Sequence, residues 1–189
     1  LLRVGGLGQG GGFVEGLEGR ADRLGLVHEV ENEGVLLSWG DPELPVYPRS
    51  SIKPLQAIPL VETGAAEAFG LGDAEIALAC ASHRGERRHV EAVASWLKRI
   101  GLSERDLECG AHAPYDAAAA AALAQAGEKP SALHNNCSGK HAAMLTCALH
   151  KGERTRGYIE RTHPVQQRIL GILEQLSGAE LGHAPSAID

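Results

Sequence analysis

Strand-type patterning is confined to one short stretch of this chain, and the longer remainder is spaced for helices. Leu24 to Val30 and Val35 to Trp39 are short apolar-rich runs joined by Glu31-Asn32-Glu33-Gly34, which predicts a hairpin. Gly40-Asp41-Pro42 stops the second run. From about 54 to 68, Leu55, Ile58, Val61 and Ala65 recur at helical spacing, and further helical patterns cover roughly 86–100, 115–126, 139–151 and 164–176. The last is the clearest. Pro164 suits its first turn, Val165, Ile169, Ile172, Leu173 and Leu176 line one side, and Ser177-Gly178 closes it. Ala74 to Ala81 is a short buried segment that periodicity leaves open between strand and helix. A two-stranded opening followed mostly by helix leaves little sheet for those helices to cover. The layout is a helix-rich α+β one that reads as cut at Ile188-Asp189.

Composition excludes several classes. The net charge is -6, no basic block occurs and aromatics are only 4%, so neither the electrostatics nor the stacking of a nucleic-acid binder is present. No apolar run approaches the roughly 20 residues a membrane span needs. Cys80, Cys109, Cys137 and Cys147 are widely spaced without a C-x-x-C pair, which predicts reduced thiols and a cytoplasmic setting. Gly6, Gly8 and Gly11 satisfy G-x-G-x-x-G, but only Leu1 to Val4 precede them and Gly16 and Gly19 come after. The stretch 1–23 therefore reads as a Gly-rich leader, poorly ordered or partly an opening strand, and not as a dinucleotide loop.

Three segments can carry chemistry. In Tyr47-Pro48-Arg49-Ser50-Ser51-Ile52-Lys53-Pro54, Ser50 and Lys53 form S-x-x-K, which puts hydroxyl and amine one turn apart on the same side. A lysine can take a serine proton when burial or nearby cations lower its affinity for its own. The plainer reading is an N-capping serine beside a solvated lysine. Cys80-Ala81-Ser82-His83-Arg84-Gly85-Glu86 leaves an apolar segment as a polar loop; adjacent residues seldom face each other, so Ser82 and His83 make no dyad by themselves. In His134-Asn135-Asn136-Cys137-Ser138-Gly139-Lys140-His141, Cys137 with a histidine has zinc-ligand spacing but too few donors. There the plainer reading is a helix start capped by Asn136 or Ser138.

Together, R-S-S-x-K-P-x-Q-A, C-A-S-H-x-G-E and L-H-N-N-C-S-G-K-H-A, in this order, resemble the asparaginase II family, the bacterial L-asparaginases of the thermolabile, rhizobial type. Gly110-Ala111-His112 and His163-Pro164-Val165-Gln166 agree with it. The resemblance covers about 24–189, read as the N-terminal part of one domain.

That resemblance implies a fold similar to serine β-lactamases and penicillin-binding proteins, incomplete here because the C-terminal half is missing. It implies hydrolysis of L-asparagine to L-aspartate and ammonia, with Ser50 as nucleophile, Lys53 as its base and Ser82 in a second Ser–Lys pair. Cys137 and Lys140 match zinc-binding residues. Arg49, His83, Asn136 and Asp189 fall in the substrate-binding or supporting positions. The full-length protein is expected to be a homodimer. A penicillin-recognising serine hydrolase, or an inactive zinc-binding fragment, are the alternatives. By itself the 189-residue chain is expected to leave the apolar stripes of its helices at about 54–68 and 164–176 wet, and so to fold poorly and lack activity.

Overall fold

The computed structural model describes residues 27–31, 34–39 and 47–184. The leader over 1–23 and Asp189 lie outside them. The hairpin belongs to one unit, ending at Pro48, and the helices to another, beginning at Arg49.

In the first unit, β1 (Val27–Glu31) and β2 (Gly34–Trp39) pair antiparallel, from Val27 opposite Trp39 to Glu31 opposite Gly34. A register shift between Glu29 and Val30 interrupts the ladder. The expected hairpin is present.

In the second unit every regular element among the described residues is a helix. A 3₁₀ turn at Arg49–Ile52 leads into α1 (Lys53–Glu62), followed by the single-turn α2 (Ala65–Ala68), α3 (Asp73–Cys80) and α4 (Arg87–Arg99). Then come α5 (Ala117–Ala126), α6 (Ser138–His150) and α7 (Pro164–Ser177). The pattern read as one helix over 54–68 is broken at Thr63-Gly64, where Gly64 takes φ +78°. The segment left open at 74–81 is α3, with Asp73 and Glu75 at its positive end and Glu75 Oε2 accepting from the Gly72 N–H at 2.9 Å.

The core is built around α6, whose residues from Ser138 to Ala148 are all buried. A helix buried on every side needs neighbours on every side. Helices α1, α2, α3, α4 and α7 supply them. Gly139 allows the closest approach: a Cβ there would stand 2.4 Å from the Leu78 carbonyl oxygen of α3. Trp96 of α4 is fully buried and donates from Nε1 to Thr146 Oγ1 of α6 at 3.0 Å, and Thr146 in turn donates to the Ala142 carbonyl at 2.7 Å.

This corrects the expected α+β, serine β-lactamase-like architecture. Such a fold sets helices against a central sheet, whereas here the apolar faces of the helices meet other helices and no strand occurs among the described residues from 49 onward. Of the stripe read over 54–68, Ala65 is buried, Leu55 and Ile58 are half-buried and Val61 is exposed, the buried face of α1 being that of Ala57 and Leu60. In α7, Val165, Ile169 and Ile172 are buried, while Leu176 is exposed.

Candidate active site

The site begins at the first residue of α1. Pro54 lacks an N–H that the first turn would leave unpaired anyway, so the helix starts cleanly there. The cap residue is Ile52, without a side-chain cap bond, so Ser50 is not the N-cap. Nor is Lys53 solvated, since its exposure is 0%. Its Nζ donates to Ser82 Oγ at 2.7 Å and to the Ala81 carbonyl at 3.1 Å, and lies 3.5 Å from the Asn136 carbonyl. A buried amine must replace its lost water with hydrogen bonds, and three acceptors match three ammonium protons. The solvated-lysine reading fails on this point.

Ser50, expected to pair with Lys53, sits half-buried on the 3₁₀ turn. Among the described residues no hydrogen bond joins it to Lys53. Before it, Arg49 has φ +48°, the one positive φ outside glycine among the described residues. A long side chain in that region stores backbone strain.

The second segment runs from the end of α3 as an extended loop. Ser82 is exposed on one side of it and His83 is buried on the other. The Gly85 N–H donates to His83 Nδ1 at 3.2 Å, so the ring is the neutral tautomer with its proton on Nε2. That proton points at Ser138 Oγ, 2.8 Å away, and Ser138 donates onward to the Leu133 carbonyl at 3.1 Å. Burial, helped by the nearby charges of His89, Lys53 and His134, holds His83 down at about 4. Its ring stacks on His89 with centroids 5.2 Å apart. As expected, His83 makes no dyad with Ser82.

In the third segment the expected caps are absent. Cys137 is the cap residue of α6, and Asn135 Oδ1 accepts from its N–H at 2.8 Å. The Asn135 amide also donates to the carbonyls of Cys109 and Gly110, at 2.8 and 3.2 Å. Asn136 contributes its backbone, accepting from the His83 N–H at 3.2 Å as well as facing Lys53. Cys137 and Lys140 lie on one turn and both are buried. Burial pushes the Cys109 thiol up to about 11, with Cys137 adding to the rise and Lys140 easing it. A thiol and an amine one turn apart suit a zinc ion chemically. Among the described residues, however, no three His, Cys, Asp or Glu side chains come together to hold a metal. No disulfide joins the four cysteines.

Ser82 faces an open, shallow depression bordered by His83, Arg84, Glu86, Arg88 and His89. Arg84 lies 3.4 Å from Asp116, and Arg88 pairs with Glu86 at 3.0 Å. The L-asparaginase II family matches residues 15–189, a span that includes all three segments. The chain belongs to that family.

The match starts inside the stretch read as leader, ahead of the expected boundary at 24. A comparison with curated proteins finds no match. As an asparaginase II chain, this is an amidohydrolase-type domain whose substrate class is a small-molecule amide. No helix among the described residues is long and apolar enough to cross a membrane. Two participants carry no signal in the sequence. Ser138 presents itself there only as a cap, and the ring of His89 not at all. Both act across more than the local chain, so no short-range spacing marks them.

Proposed function

We propose that this asparaginase II chain hydrolyses L-asparagine to L-aspartate and ammonia through a serine nucleophile activated by Lys53. The observation that carries the reading is the 2.7 Å contact between Lys53 Nζ and Ser82 Oγ, beside the open depression that Ser82 faces. To act as base, Lys53 first gives up the ammonium proton it directs at Ser82, which leaves two N–H bonds and one lone pair. With the N–H bonds directed to the Ala81 and Asn136 carbonyls, the lone pair faces Ser82 and accepts its proton. Ser82 Oγ attacks the side-chain amide carbon as that proton moves to Nζ. The proton then passes to the departing nitrogen, ammonia leaves, and a β-aspartyl ester remains on the serine. Water cleaves the ester to L-aspartate and restores the hydroxyl.

Ser50 as nucleophile, with Lys53 as its base and Ser82 in a supporting pair, is the second reading. It is favoured by the strained Arg49 just before Ser50, because such strain clusters at reacting residues. Zinc belongs to the same proposal: Cys137 and Lys140 would hold it, and it would clamp the start of α6. No step of the reaction passes through it.

Ammonia release from asparagine by single variants separates the readings. Ser82→Ala and Lys53→Met are each expected to reduce kcat/KM by about 10³-fold or more, with Ser50→Ala milder. A Ser82→Ala protein with near-normal turnover and an inactive Ser50→Ala protein would transfer the nucleophile to Ser50. Wild-type protein that releases no ammonia from asparagine would refute both.

A further inference from the structure

We infer that His83 is a positioning residue for Lys53, acting through Ser138 and never touching substrate. This rests on the reading of Lys53 as the base. Every acceptor around Lys53 Nζ belongs to one of two strands of backbone: Ala81 and Ser82 on the loop after α3, and Asn136 just before α6. Nothing in either strand is regular secondary structure, so something must hold them in register. His83 makes two bonds between them and a third within its own loop. Its N–H donates to the same Asn136 carbonyl that faces Lys53, at 3.2 Å. Its Nε2 proton goes to Ser138 Oγ at 2.8 Å, in the first turn of α6, and its Nδ1 accepts from Gly85 at 3.2 Å.

The arrangement works in one tautomer and one rotamer only. Ser138 has a single hydroxyl proton, committed to the Leu133 carbonyl, so its oxygen is left to accept from His83. Gly85 reaches the ring because it takes φ +75° in a place where a Cβ would stand 2.9 Å from Pro114 Cα. The His89 ring stacks on one face of His83. The bonds from loop to helix therefore fix the distance between the Ala81 and Asn136 carbonyls, and with it the direction of the Lys53 lone pair. Small errors in such a geometry reduce turnover far more than they reduce binding.

The test reads Lys53 directly as well as through activity. In protein labelled with ζ-15N lysine, the Lys53 signal is assigned by its loss in Lys53→Arg. His83→Ala and Ser138→Ala are each expected to move that signal and to lower kcat on asparagine by about tenfold or more, leaving KM within about twofold. His83→Gln, whose amide N–H can reach Ser138 Oγ, should restore both. Should His83→Ala not fold, Ser138→Ala carries the comparison. Variants that melt like wild type yet leave the Lys53 signal in place would overturn the role, as would a folded His83→Gln no better than His83→Ala. If the wild-type protein proves inactive on asparagine, the functional reading falls alone, and the Lys53 signal still decides the positioning role.

Discussion

Cys137 and Lys140 show what a single turn of helix can do for two side chains three positions apart. Both are buried at the start of α6, close enough to Cys109 that its thiol responds to each of them. A lysine binds metal only as the neutral amine and a cysteine best as the thiolate, so every proton added to the pair competes with the metal. Zinc affinity measured by competition with a chromophoric chelator is therefore expected to fall as pH is lowered from about 8 toward 6. Cys137→Ser and Lys140→Met should each lower it by roughly 10-fold or more. Affinity unaltered in both variants would assign any bound zinc to other residues. The motif's order in the sequence already marks these two positions. Their approach to the half-buried Cys109, some thirty positions away, does not appear there.

The junction of α3 and α6 is the element on which the site depends. Gly139 lets the helices approach until the Leu78 carbonyl sits where a side chain would otherwise be. That approach brings the loop after α3 beside the start of α6, and so brings Ala81, Ser82 and Asn136 to one amine. An added methyl would meet backbone and not a flexible side chain, so the helices themselves must part. Gly139→Ala is expected to destabilise the protein by about 1 to 3 kcal/mol. It should also lower asparagine turnover by more than the unfolded fraction explains. Chemical melts and initial rates on the same preparation check this, and unchanged stability would mean that the helices yield at little cost.

At the scale of the second unit, His83 couples stability to pH on the acid side of neutrality. Its ordinary value is 6.5 and its folded value about 4, so between these the unfolded chain takes up a proton that the folded chain refuses. Its contribution is fully present above about 6.5. It is lost as pH falls toward 4, where the folded protein also begins to bind the proton. The loss amounts to roughly 3 kcal/mol at most. Urea melts at pH 7.5, 5.5 and 4.5 are expected to show wild type losing more stability than His83→Gln over this window. Parallel curves would mean that another group carries the dependence.

The sequence by itself determined the local facts: the hairpin, the start of α7 at Pro164, the S-x-x-K spacing, the three polar segments and the family. Each depends on residues close together in the chain, where spacing translates directly into geometry. Periodicity could not decide the type of the segment at 74–81, because a helix apolar on nearly all sides has no face to reveal. It also provided no means of telling that the helices would cover one another and not a sheet, since an apolar stripe is the same whatever it meets. Only the tertiary structure decided that Lys53 is buried and turned toward Ser82, and that His83 answers to Ser138. Those pairings lie 29 and 55 positions apart, and only the packing of α1, α3 and α6 makes them neighbours.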